Sequence, residues 1–182
     1  LAMVGGAGRA AEAVANRIRG TTPAAATPAA PGAVPGAPGA VAHPPPAPNP
    51  AEITRLQGEI GNFVNAVGAP PAAPAAGAAG PAAPGTGLFA VFQSAQADYM
   101  SGVAAAPNLA AKKAAATANM TKLNTLQTEL GNQRTRMGNI LHNDQYINCG
   151  EPYRRAFEAA IANFLILEHN FTSLYHQTLT EL

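Results

Sequence analysis

Thirty consecutive residues, Thr21–Pro50, pass without one charged side chain. Charge is scarce elsewhere too: 12% of the 182 residues are Asp, Glu, Lys or Arg, about half the usual share. The net charge is +1, so no global field draws the chain toward nucleic acid or an anionic membrane. Cysteine occurs once, at Cys149, which excludes an internal disulfide and reads as a buried, idle thiol. No apolar run reaches the roughly 18 residues that span a bilayer. The longest candidate, Ala156–Leu167, is interrupted by Glu158 and Asn163. No strand pattern competes with the helical ones, and no strict Gly-X-Y period is present, which excludes collagen.

Proline, by contrast, is concentrated: 15 of 17 prolines fall between Pro23 and Pro84. That region cannot build a packed core, so folding falls mainly to residues 88–182. Two Ala/Pro/Gly tracts, 21–48 and 69–87, read as polyproline II or turns. The first could span about 90 Å at full reach. Disordered chains combine low hydrophobicity with high charge, whereas this chain is 47% apolar. An uncharged, small-residue tract of this kind is expected either to lie against a surface as a strap or to serve as a free linker. Proline lowers the entropy cost of ordering it, and lack of charge avoids desolvation.

The helical signals are separate. Ala7–Arg19 reads as a short basic helix within residues 1–20, carrying Arg9, Arg17 and Arg19. Its Ala/Arg bias is similar to that of mitochondrial transit peptides, from which Glu12 departs. Residues 49–68 carry strong helix signals: Asn49 as N-cap, Pro50 in the first turn and Glu52 to complete a capping box. Ile53, Leu56, Ile60, Phe63, Val64 and Val67 then form one apolar stripe. A five-turn helix with one greasy face must dock, either on the chain's own C-terminal helices or on a neighbouring subunit. In the second case Ile53, Leu56, Ile60, Phe63 and Val67 are the anchor.

Residues 88–101 read as another helix, with Leu88, Phe92, Ala95 and Tyr99 on one side and Gly102 closing it. After Asn108, Leu109, Ala116, Leu123, Leu130 and Met137 recur every seven residues, which predicts a heptad seam. Leu126 and Ile140 supply a second row, which Lys112, Asn119 and Gln133 also occupy. Leu109, Leu123, Leu130 and Met137 are thus candidates for self-association or a partner helix. Pro152 opens a last helix faced by Phe157, Ile161, Phe164, Leu165, Phe171, Leu174 and Tyr175. Two helices of about 30 residues joined by a short loop predict an antiparallel hairpin. The fold expected is therefore all-α: a helical hairpin or bundle over 88–182, preceded by extended segments and short amphipathic helices.

Catalytic and metal-binding patterns do not emerge. His169 and His176 are seven apart, too far for an i,i+4 chelate. Glu-x-x-His is absent, since Glu168 adjoins His169 and Glu151 is followed three residues on by Arg154. His43 lies in the proline tract. His142, Asp144 and Cys149 share a loop, yet nothing in the sequence orients them as a thiol site. "VGGAGRA" is neither GxGxxG nor a phosphate loop. Lys112-Lys113 and the Arg134/Arg136 pair lack an aromatic platform, so they read as solvated helix faces. Asn119-Met-Thr and Asn170-Phe-Thr match the glycosylation sequon but fall in helices.

Met3-Val4-Gly5-Gly6-Ala7 resembles the Met/Ile/Leu-x-Gly-Gly-x cleavage pattern of adenovirus-type maturation proteases, and similar sites occur in precursors of other large DNA viruses. A chain that begins at Leu1 rather than Met also reads as a processed product or a piece of something longer. The expectation is a non-enzymatic assembly protein without cofactor or metal, acting by binding alone. Its implied setting is a virus particle, as a minor capsid, cement or linker protein that bridges subunits such as the major capsid protein. The alternative is an accessory subunit of an organellar membrane complex, mitochondrial or chloroplast.

Overall fold

Residues 44–72 and 83–182 are described by the structure, a computed structural model. The expected basic helix of residues 1–20, most of the 21–48 tract and the middle of the 69–87 tract lie outside them. The chain divides into Leu1–Pro48 and Asn49–Leu182. Of the first, residues 44–48 are described, without regular structure and exposed.

Among the described residues of Asn49–Leu182, four α-helices and no strand occur: α1 (Pro50–Val67), α2 (Gly87–Asp98), α3 (Leu109–Leu141) and α4 (Glu151–Leu179). The fold is all-α. α1 starts where Asn49 Oδ1 accepts the Glu52 N–H at 3.3 Å. The capping box is only half formed. Glu52 turns its carboxylate to Arg55 and Asn143 instead, and the Asn49 N–H donates to Gln145 Oε1 at 3.0 Å. A tertiary partner thereby replaces the local one. α1 ends at Gly68, whose φ of 72° only glycine adopts without strain.

α3 begins at its expected cap, with Asn108 Oδ1 accepting from the Ala111 N–H at 2.9 Å. It runs 33 residues without a break, through Gly131 and Gly138, because tertiary burial on one face outweighs their propensity cost of about 1 kcal/mol each. A 3₁₀ turn, Asp144–Asn148, reverses the chain, and α4 returns over 29 residues. Asn119–Thr178 at 3.4 Å and Arg134–Glu168 cross between α3 and α4, and Lys112 pairs at 3.2 Å with Glu181 just past the end of α4. Position rises along one helix as it falls along the other, so the pair is an antiparallel hairpin.

α1 and α2 succeed one another along that hairpin as a third column. Arg136–Glu59 at 3.3 Å sets α1 against the second half of α3, and Asn143, just past the end of α3, bonds Glu52 at 2.8 Å. Lys122, bonded to Ser94 at 2.9 Å and paired with Asp98, sets α2 against the first half. The column breaks at Gly68 and Gly87, both with positive φ. A Cβ on Gly68 would stand 2.1 Å from the Thr86 carbonyl oxygen, and one on Gly87 2.5 Å from that of Ala66. The two backbones can touch only because neither carries a side chain. Thr86 N–H donates to the Ala69 carbonyl at 3.0 Å, and Ala69 N–H donates to Thr86 Oγ1 at 2.9 Å. The Ala/Pro tract between them is therefore closed at its base.

The core joins all three columns. Leu56, Ile60, Phe63 and Val67 of α1 meet Phe157, Ile161, Phe164 and Leu167 of α4 and the buried row of α3. Phe63 stands edge-on to Phe157, centroids 5.2 Å apart, and tilted to Phe164 at 5.8 Å. Gly102 does not close α2 as its sequence suggested. The chain instead continues through a π-helical turn, Tyr99–Ala104. A Cβ on Gly102 would lie 3.3 Å from Ala115 Cβ, so this glycine serves close packing on α3 rather than helix termination.

Candidate functional site

The structure places the predicted docking residues mainly in the chain's own core. Leu56, Ile60, Phe63 and Val67 are buried, and Ile53 is half-buried. Of the two docking options that the sequence left open, the structure shows the stripe packed within the chain itself. α3 and α4 offer the same apolar face within the chain, at far higher effective concentration than any partner. The α3 seam is likewise occupied inside the molecule. Leu123 and Leu130 are buried, Met137 is half-buried, and the second row is filled by Asn119, Leu126, Gln133 and Ile140. Leu109 differs, at 68% exposure. Lys112 already pairs with Glu181, past the last helical residue of α4, so Leu109 overhangs the end of its partner helix.

Two polar residues on the seam are handled differently. Gln133 is satisfied, donating to Glu129 at 2.7 Å and accepting from Arg136 at 3.1 Å. Asn119 donates to Thr178 Oγ1, but its own Oδ1 is buried with no partner. Its burial also removes Asn119 as a glycan acceptor.

The loop that gathers His142, Asp144 and Cys149 does not arrange them for nucleophilic chemistry. The His142 ring Nδ1 lies 2.7 Å from the Gly138 carbonyl, on its own helix. Cys149 is buried, and its thiol lies 3.6 Å from the Gln145 carbonyl oxygen. Burial pushes the thiol pKa up, with Arg154 opposing, the reverse of what activates a thiolate. Burial and the Glu158 charge likewise push the Tyr146 hydroxyl up to about 12, against an opposing effect of Arg154. Gln57 donates to the Cys149 carbonyl at 2.9 Å, so this loop buttresses α1. Among the described residues no cluster of His, Cys, Asp and Glu has metal-binding geometry. No described helix is long and apolar enough to cross a membrane.

What remains open is a groove of about 460 Å³ between α2 and α4. Phe89, Phe92 and Leu174 make its floor, and Tyr99, Met100 and Ile166 its apolar walls. Met100 is 61% exposed and Ile166 41%, among the most exposed large apolar side chains described. The rim carries Gln93, Gln96, Asn170, Ser173 and Gln177, and none of the lining residues is charged. Gln93 Oε1 is held by the Gly85 N–H at 2.8 Å. Pro70 and Pro71, at the start of the second Ala/Pro tract, close one end. The sequence placed Phe92, Tyr99 and Leu174 on apolar helix faces but did not bring them together as one groove, since they come from segments about 80 positions apart. The signal was present as absence: Gly87–Ala97 and Asn170–Thr180 contain no Asp, Glu, Lys or Arg, although both helices have a face turned to solvent.

Two other surface hollows differ in kind. One, of about 250 Å³, lies between α1 and α3 and includes Arg55, Glu59 and Arg136. Its arginines are committed to Glu52 and Glu59. The other, of about 270 Å³, holds the Arg134–Glu168 pair. Neither presents an unpaired charge to a ligand. Comparison with protein-family models, curated proteins and solved structures gives no match for this chain.

Proposed function

We propose that this chain is an architectural protein that acts by binding, bridging neighbouring subunits of a large assembly, with a virus particle as its setting. In that setting it serves as a minor capsid, cement or linker protein contacting other capsid subunits, the major capsid protein among them. One observation carries the reading. A bundle that fills its own core is joined to long Ala/Pro/Gly tracts without charge, leaving an uncharged groove rather than a reactive pocket. A rigid module on small-residue straps suits a part that must span neighbours. The Gly-Gly pattern at Met3–Ala7 favours the virion over an organellar membrane complex.

Elastase, which cuts after small residues, tests this on the native source and on the purified chain. Protection of Ala24–Ala47 and Ala69–Ala83 in purified particles, with rapid cutting in the isolated chain, is the expected result. Equal cutting in both, or recovery of the chain with organelle membranes instead of particles, would overturn it.

A further inference from the structure

We propose that Asn119 and Thr178 set the register of the α3/α4 hairpin, so that the two long helices adopt one alignment. The proposal stands independently of the bridging reading above. Both residues are buried, at 3% and 0% exposure. Asn119 donates to Thr178 Oγ1 at 3.4 Å, and the Thr178 hydroxyl donates in turn to the Leu174 carbonyl at 2.9 Å. The Asn119 Oδ1 has no partner. A buried amide that is only partly satisfied costs stability, so packing alone gives no reason to hold one here.

The reason lies in the repeats. α3 buries Asn119, Leu126, Gln133 and Ile140 seven residues apart, and α4 buries Phe157, Phe164, Phe171 and Thr178 at the same spacing. Counting in sevens from the Asn119–Thr178 contact brings Leu126 level with Phe171, Gln133 with Phe164 and Ile140 with Phe157. A displacement of one helix by seven residues, about 10 Å along the axis, lays one row over the other again. Apolar contacts discriminate weakly between the two alignments, because packed cores tolerate hydrophobic exchanges of similar volume.

The polar pair does discriminate. Thr178 is the one polar residue on the buried face of α4. After a seven-residue shift Asn119 would stand opposite Phe171, or beyond the end of α4 if the shift ran the other way, and would lose its only partner. Gln133 does not read the alignment, since its partners Glu129 and Arg136 lie on its own helix and travel with it. The pairs Arg134–Glu168 and Lys112–Glu181 stand within reach of water, where ion pairs contribute little. A lone buried asparagine can fix the register of paired helices at a cost in stability. The substitution that makes this seam wholly apolar should therefore strengthen the fold and blur its alignment together.

Double electron–electron resonance on the full-length chain reads the register. Nitroxide labels are attached at Thr121→Cys on α3 and Ala159→Cys on α4, both exposed positions, with Cys149→Ala removing the buried native thiol. The parent should give a single distance. Asn119→Leu should add a second one displaced by about 10 Å, in about a tenth or more of the molecules, with helical circular dichroism retained. Thr178→Val removes the partner from the other helix and should add the same second distance, so that if one variant does not fold the other decides. Gln133→Leu, whose partners are on its own helix, should keep the single distance of the parent. A single unshifted distance in either folded variant of the Asn119–Thr178 pair would overturn the proposal. Two distances in the parent, or equal splitting in Gln133→Leu and Asn119→Leu, would overturn it too.

Discussion

Phe63→Ala separates a core residue from a docking residue. Phe63 is fully buried and touches two phenylalanines of α4, with centroids 5.2 and 5.8 Å away. A buried phenylalanine removes roughly 150–250 Å² from water, which at about 25 cal/mol per Å² corresponds to ~4–6 kcal/mol for the whole side chain. Alanine keeps the Cβ, and the ring leaves a cavity between α1 and α4. The net loss should be about 4 kcal/mol, within the 3–5 kcal/mol seen for such truncations. Against a total stability of about 5–15 kcal/mol, this should lower the thermal midpoint by about 15 °C. The chain has no tryptophan, so urea unfolding is best followed by far-UV circular dichroism. Val91→Ala, on an exposed side chain of α2, serves as a control and should stay within about 0.5 kcal/mol. A Phe63→Ala loss below about 1 kcal/mol in the isolated chain would refute the core assignment and return this stripe to an intermolecular role.

Gly68→Ala should cost about 2–3 kcal/mol or more, since the residue sits at φ 72°, ψ −162° with its Cβ driven onto Thr86. Gly58→Ala, mid-helix with open space around its Cβ, should instead stabilise by about 0.5–1 kcal/mol; the same urea titration reads both signs. Asn119→Leu should raise stability by about 1 kcal/mol, because it removes a buried carbonyl oxygen that lacks a partner; a measured loss would mean that the oxygen is satisfied in solution. Glu52 is held down from 4.5 to about 2 by hydrogen bonds from Arg55 and Asn143. Its folded pKa lies below its unfolded one, so its contribution is complete above pH 4.5 and disappears as pH falls toward 2. Unfolding midpoints of the parent and Glu52→Gln should therefore differ at pH 6 and converge near pH 2, and a constant difference would refute the linkage.

The helices were legible because their signals are local. The caps at Asn49 and Asn108 and the proline near the start of α4 stand in the sequence as they stand in the structure. The heptad rows of α3 even located two polar residues, Asn119 and Gln133, in buried seam positions. What failed depended on neighbours distant in the chain. Glu52 could form a capping box on sequence grounds, but Asn143, 91 residues away, competes for its carboxylate. Leu109 continues the seam pattern and is nonetheless exposed, because α4 ends before reaching it. The α1 stripe could be read as an apolar face but not assigned an owner, since periodicity says nothing about which surface covers it. The groove was hidden for a related reason: it is defined by charges that two distant segments both lack.

The clasp at Ala69 and Thr86 has an evolutionary consequence. With its ends held together by paired hydrogen bonds and two glycine contacts, the segment Pro70–Gly85 can change length while the column on either side keeps its register. Doubling the length of a connection costs only about 0.6 kcal/mol in closure entropy, little beside the burial that holds α1 and α2. Reach and folding are thereby made separate heritable traits. Insertions or deletions of alanine, proline and glycine at this point can change the length of the connection without repacking a single core side chain.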